Sequence, residues 1–286
     1  MAEWRLRQSV EIDGEKVAYD IQGDGTPVVL IHGFPGNSYS WRRVAPALAR
    51  HWRVHVFDML GFGASAKHEK QSVSGGAQAK LLARLLDHWK LDEPLMVAHD
   101  FGVVAALGAC LFEGRRYRRL ALLDAAVLNP CMSSNSMHVR AHLEAYQTMP
   151  ARIYGYVLRA HIPTTMYTAM DDETFEGYFA PWRDKTGQAA YFRFIGQFDE
   201  SYLDRIEAAV PRLTTPTLIL WGKEDTWIPL DHGERIVRLI PGSTLHVIPG
   251  AGHFIMDDAP EAVAEEIATF LRGDGAAASR AAAGIR

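Results

Sequence analysis

The sequence predicts an α/β fold, a mostly parallel sheet with helices on both faces and a helical insertion after the sixth strand. Three observations carry this. Short, wholly apolar runs such as Pro27 to Ile31 (PVVLI) and Thr217 to Trp221 (TLILW) have the character of strands buried on both faces. Helical stretches separate these runs, and repeated strand–helix units imply parallel pairing through crossovers. Between Val127 and Arg212 the alternation stops, and tyrosines at 146, 154, 156, 167, 178 and 191 replace the strand signal.

Each element has its own warrant. Arg5 to Ile12 and Lys16 to Ile21 flank Asp13-Gly14, a two-residue hairpin signal. A helix is expected over Ser40 to Arg50 and a strand over Val54 to Phe57. Ala77 to Trp89 gathers Leu81, Leu82, Leu85 and Leu86 on one helical face. Leu95 to Ala98 reads as a strand, Gly102 to Leu111 as a helix and Leu120 to Leu123 as the sixth strand. After the insertion come strands at Thr217 to Trp221 and Thr244 to Ile248. Helices follow at Asp231 to Leu239 and Pro260 to Leu271, the latter opened by a proline that needs no N–H there. The expected organisation is a core of residues 1–126 and 213–272, a helical cap over 127–212, and a disordered low-complexity tail over 273–286. An insertion between two stretches of one sheet sits naturally over the carboxyl edge, where such sheets bind ligands.

Composition narrows the function. With 286 residues, 48% hydrophobic and 22% charged, the chain can bury a core without staples. A net charge of −4, from 30 basic and 34 acidic residues, argues against a nucleic-acid surface. Cys110 and Cys131 form no CxxC pair, so neither a disulfide framework nor a thiolate metal site is expected. The first residues, MAEWRLRQSVEIDGE, lack an apolar signal core. No membrane partner is expected, and the cytoplasm is the expected compartment. No motif implies a metal, nucleotide or other cofactor, and the sequence leaves monomer and homodimer open.

Four motifs follow strands at the ligand-binding edge: His32-Gly33-Phe34-Pro35-Gly36, Ala98-His99-Asp100-Phe101-Gly102, Gly222-Lys223-Glu224-Asp225 and Gly250-Ala251-Gly252-His253. The second has the small-x-nucleophile-x-small pattern of a nucleophile elbow, with a carboxylate at its centre. The start of the helix behind it offers N–H groups and a positive dipole end, which suit an anion.

On these motifs the span from about Val28 to Leu271 resembles a capped α/β-hydrolase of the Asp-nucleophile branch, which holds epoxide hydrolases and dehalogenases. Asp58 to Ser65 (DMLGFGAS) also resembles a segment common there. The order of nucleophile, acid and histidine matches Asp100, Asp225 and His253. Asp124, at the end of the sixth strand, competes with Asp225, because some dehalogenases place the acid there.

The chemistry follows from the nucleophile. A carboxylate is anionic at neutral pH and attacks without a base. Attack on an acyl carbon gives a reactive anhydride, whereas attack on a saturated carbon bearing a leaving group gives an ordinary ester. His253, held by Asp225, then activates water for ester hydrolysis. The Phe34 and Phe101 N–H groups are the expected oxyanion donors. Haloalkane dehalogenases place Trp after the nucleophile and fluoroacetate dehalogenases Arg; here Phe101 has no side-chain donor. An epoxide needs a proton donor such as tyrosine. The resemblance implies two in the cap, with Tyr146 and Tyr191 at the nearest positions, Tyr154 and Tyr178 behind, and His142 open. His32, Pro35 and Trp182 are expected at the substrate, although His32 and His99 read first as loop braces. The expected function is epoxide hydrolysis to a vicinal diol on a small apolar or aromatic substrate. Dehalogenation of an alkyl halide by the same ester, or non-catalytic binding of a small ligand, are the alternatives.

Overall fold

The computed structural model describes residues 4–273. The expected disordered tail lies, beyond Gly273, outside the described residues. Eight strands form one sheet: β1 (Gln8–Ile12), β2 (Glu15–Gln22), β3 (Pro27–Ile31), β4 (Arg53–Phe57), β5 (Leu95–His99), β6 (Arg119–Leu123), β7 (Thr217–Gly222) and β8 (Thr244–Ile248). Their order across the sheet is β1-β2-β4-β3-β5-β6-β7-β8. β1 and β2 form the hairpin, turning through Asp13 and Gly14 at φ 51° and 83°, the paired positive φ that a two-residue turn demands. β2 meets β4 antiparallel, and every later pairing is parallel.

Alternation along the central strands builds two cores. Val29, Ile31, Met96, Ala98, Leu120, Leu122 and Ile219 face one side, and Val28, Leu30, Leu95, Val97, Ala121, Leu123 and Leu218 the other. The helices outside the cap are α1 (Ala45–Leu48), α2 (Gly75–His88), α3 (Phe101–Phe112), α10 (Leu230–Leu239), α11 (Ile255–Asp258) and α12 (Pro260–Arg272). Residues from α2, α3 and α10 join the first core, and residues from α1, α11 and α12 the second. α2 starts at Ser74, which accepts from Ala77 N–H, and α12 stops at Gly273 in the left-handed region at φ 92°.

The helix expected over Ser40 to Arg50 is instead a 3-10 turn, Ser38–Trp41, followed by the single turn α1. Pro46 explains the break, because it has no N–H for a preceding turn and its ring crowds the carbonyl four residues back.

Between β6 and β7 the chain forms only helices: α4 (Ser134–Ala141), α5 (Leu143–Gln147), α6 (Ala151–His161), α7 (Asp172–Phe179), α8 (Lys185–Gly196) and α9 (Glu200–Ala209), with short 3-10 turns between some of them. α8 carries Tyr191, Phe192 and Phe194 into the first core, so this cap packs on the sheet's carboxyl edge. Among the described residues no helix is long and apolar enough to cross a membrane.

Candidate active site

Asp100 stands between β5 and α3 with φ 51° and ψ −122°, a conformation that costs a non-glycine residue roughly 1–3 kcal/mol. The surrounding packing holds it there. Its N–H donates to Leu123 O at 3.0 Å, and its carbonyl accepts from Val103 N–H at 3.0 Å. Close approach makes glycine obligatory at two neighbours. A Cβ on Gly33 would lie 2.3 Å from the Asp100 side chain, and one on Gly102 would lie 2.5 Å from the His32 carbonyl oxygen. The small residues of the elbow pattern are therefore contacts, not flexibility.

Asp100 as a residue is only 6% exposed. Its Oδ1 accepts from Phe34 N–H at 2.7 Å, and its Oδ2 lies 3.4 Å from His253 Nε2. The Phe101 N–H, next in the chain, also favours its charged form. Burial pushes the Asp100 carboxyl up, but the adjacent His253 imidazole, with smaller help from His99 and Phe101 N–H, outweighs burial and holds it below the usual carboxylate value. Of the two N–H groups expected from the motifs, that of Phe34 bonds to the Asp100 carboxylate directly.

His253 Nδ1 is 2.8 Å from Asp225 Oδ2. Asp225 Oδ1 accepts from Trp227 N–H at 2.7 Å and Ile228 N–H at 2.9 Å, so the carboxylate is oriented by its own loop. The loop bearing His253 is pinned from three sides. Glu224 Oε2 accepts from Gly250 and Ala251 N–H, Asp258 Oδ2 accepts from Gly252 N–H, and His99 Nε2 donates to the His253 carbonyl at 2.8 Å. Burial drives His99 down to about 4, so it is neutral and serves as a brace. Burial also lowers His253, but Asp225 and Asp100 on its two nitrogens outweigh this and raise it well above its ordinary value.

Asp124 is fully buried at the end of β6 with φ 41°. Its Oδ1 accepts from Gly222 N–H at 2.8 Å and its Oδ2 has no partner. Burial and the nearby Asp225 charge hold it well above the carboxylate range, so it is the neutral acid of the pair. Of the two candidate acids, Asp225 is the one bonded to the imidazole.

A cavity opens over Asp100. Phe34, Phe101, Ala126, Phe194, Ile195, Phe198, Ile228 and Trp227 give it apolar walls, and Cys131, Met132, Ser133 and Ser136 close it from the start of the cap. The Trp227 ring stacks on His253 at 5.6 Å and 12°. The Cys131 thiol is pushed up to about 12 by burial and the Asp100 and Glu200 charges, which makes it a poor nucleophile.

Neither tyrosine expected as a proton donor lines this cavity. Tyr146, on α5, is half-buried and its ring sits 5.6 Å from that of Phe192. Tyr191 is buried on α8, and its ring lies 4.8 Å from that of Phe34. Its hydroxyl has no hydrogen-bond partner, nor has that of Tyr154. Tyr178 donates to Asp257, and His142 is exposed on the cap surface. The three residues expected at the substrate are also elsewhere. His32 accepts from Met59 N–H at 3.0 Å through Nε2 and donates to Gly33 O at 2.9 Å, which braces the loop. Trp182 is fully buried and donates its indole N–H to Pro35 O at 2.9 Å, clamping the cap to that loop. Tyrosine positions counted along the chain fail here because helix rotation within the cap decides which side chains face the sheet.

The groups that do line the cavity and were not singled out include Ser133, Ser136, Phe194, Phe198 and Trp227. Trp227 is close to Asp225 in the third motif, a signal that sequence carries. The serines have none beyond an ordinary helix start. Among the described residues no group of three or more His, Cys, Asp or Glu is placed to hold a metal ion.

Comparison with known proteins extends this geometry. A family model described as alpha/beta hydrolase fold matches residues 26–260. An alpha/beta hydrolase fold protein from Burkholderia ambifaria is 36% identical with a TM-score of 0.89, over 92% of this chain and 97% of its own. A 2-hydroxy-6-oxo-2,4-heptadienoate hydrolase of Pseudomonas putida is 30% identical over 82% of this chain and 84% of its own. Haloalkane dehalogenase 2 of Mycobacterium tuberculosis is 25% identical over 88% of this chain and 90% of its own.

Proposed function

We infer the reaction from two facts together: the chain belongs to the alpha/beta hydrolase fold family, and its elbow carries a carboxylate. It is a hydrolase. The proposed reaction is displacement at a saturated carbon by Asp100, followed by hydrolysis of the resulting ester. The observation that carries this is the setting of Asp100 at the cavity floor, with Phe34 N–H on one oxygen and His253 beside the other.

Substrate binds against the phenylalanine walls, which suits a small apolar or aromatic compound. An Asp100 oxygen attacks the carbon, and the bond to the leaving atom breaks with its electron pair. Esterification removes one of the two carboxylates that hold the His253 proton, so the imidazole gives it up more readily. Neutral His253 then takes a proton from water, which attacks the Asp100 carboxyl carbon. Charge develops on the oxygen already facing Phe34 N–H, with Phe101 N–H the second proposed donor; one such donor contributes about 3–4 kcal/mol. Asp225 steadies the imidazolium.

The proposed substrate class is the epoxide. Halide release calls for N–H donors aimed at the leaving atom. The two candidate indoles are spent elsewhere, Trp227 on Thr164 Oγ1 at 3.0 Å and Trp182 on Pro35 O. The cavity's side-chain donors are hydroxyls, at Ser133 and Ser136, and a thiol, at Cys131. An oxygen leaving group matches the hydroxyls better. The second reading, dehalogenation, is favoured by the similarity to haloalkane dehalogenase 2 across most of both chains.

One single turnover in ¹⁸O-labelled water tests the mechanism. Label is expected in the Asp100 carboxyl, and His253→Ala is expected to accumulate alkylated protein by mass. Unlabelled protein after a confirmed turnover refutes the ester. Halide release from haloalkanes, without diol from any epoxide, selects the second reading.

A further inference from the structure

We propose that the Ser136 hydroxyl receives the departing oxygen, the role for which no cap tyrosine is in place; this rests on the epoxide reading above. Apart from the Trp227 indole, which is spent on Thr164 Oγ1, the side-chain donors among the described residues lining the cavity over Asp100 are Cys131, Ser133 and Ser136, and Cys131 is a weak one. The two hydroxyls form a directed chain. Ser133 Oγ accepts from Ser136 N–H at 3.1 Å and donates its own proton to Ser136 Oγ at 3.1 Å. Ser136 Oγ is therefore already an acceptor, its own proton has no partner among the described residues, and the upstream bonds polarise that O–H. Ser133 is spent on this relay, which leaves Ser136 as its open end at the cavity.

The balance closes without any added reagent. The Asp100 oxygen forms a bond to carbon as the ring C–O bond breaks. The electron pair goes to the ring oxygen, which takes the Ser136 proton. Ser136 regains a proton from water, since both serines are half-exposed. The hydroxide so formed is neutralised by the proton that His253 gives up once the ester has formed. In ester hydrolysis the imidazole regains a proton from the attacking water, the bond from the Asp100 carboxyl carbon to the alkyl oxygen breaks, and that oxygen leaves as the alcohol with the water's other proton. The sum is epoxide plus water to diol.

The test separates the two steps and varies the leaving atom. Wild type, Ser136→Ala and Ser136→Thr are mixed with styrene oxide or with 1-iodobutane, quenched on the millisecond scale, and weighed intact. With styrene oxide, Ser136→Ala is expected to slow adduct formation by roughly 10–100-fold, the loss of one hydrogen bond to a charged group. Ester hydrolysis is expected to keep its rate, and Ser136→Thr, which keeps the hydroxyl, to restore much of the loss. Iodide leaves without a proton, so alkylation by 1-iodobutane is expected to fall little. An equal loss with both reagents, or none with the epoxide, overturns the role of Ser136. A wild type that never carries an adduct overturns the reading of Asp100 itself, and this proposal with it.

Discussion

Replacing Asp225 by asparagine separates the two chemical steps, and the structure indicates how far. In Asp225→Asn the amide retains an oxygen for Trp227 and Ile228 N–H, now bonded at 2.7 and 2.9 Å, so the loop keeps its shape. The other arm of the side chain becomes an NH2 facing His253 Nδ1, where the carboxylate oxygen sits at 2.8 Å. Two donors cannot face each other, so the imidazole moves its proton to Nε2. That nitrogen points to Asp100 and can then no longer take a proton from water. The same tautomer inversion in a serine-protease triad costs about 10⁴-fold, which is ~5.4 kcal/mol at 1.36 kcal/mol per tenfold. This loss is expected in ester hydrolysis. Attack by Asp100 needs no base, so it is expected to slow by no more than about tenfold through weakened support from His253. Rapid quench with intact-mass detection should show a burst of alkylated chain, then near-arrest. Full turnover without accumulated adduct refutes the assigned order of roles, and the same burst from Asp124→Asn instead would place the acid at the end of β6.

Other expectations follow from the same geometry. Ester formation should persist into acid, because Asp100 is held below the usual carboxylate value, while hydrolysis needs a neutral His253 and fades as pH falls through its pKa in the ester. Adduct at steady state should therefore rise on the acid side; a pH-independent adduct level counts against His253 as the base. Trp182→Phe leaves the Pro35 carbonyl unpaired in a buried site, at a cost of about 1–3 kcal/mol, so calorimetry should find Tm lower by roughly 2–10 °C. An unchanged Tm would remove the clamp between cap and loop. Tyr146→Phe and Tyr191→Phe should leave adduct formation at the wild-type rate, and a loss near 10²-fold in either would return that tyrosine to acid catalysis.

Much of this molecule was legible in residue order alone. Runs such as PVVLI have the character of strands buried on both faces, and Asp100, Asp225 and His253 each come after a parallel strand, β5, β7 and β8, so topology brings them to one edge. Asp13-Gly14 announced its own hairpin because two successive residues there adopt positive φ. The cap was opaque for the opposite reason. Its aromatics recur at spacings that place one on nearly every helix, and Tyr146, Tyr154, Tyr178 and Tyr191 look alike until rotation and packing assign each a neighbour. Trp182 likewise reads as a substrate wall and is instead a clamp on Pro35.

What residue order by itself determined, then, was the sheet, its insertion and the presence of a carboxylate at the strand–helix elbow, because these depend on local polarity, local backbone demand and chain direction. Tertiary structure alone decided that Asp225 rather than Asp124 meets the imidazole, and that serines rather than the expected tyrosines line the cavity over Asp100. Those outcomes rest on differences of a few ångströms between segments far apart in the chain, set by how whole helices and loops pack together.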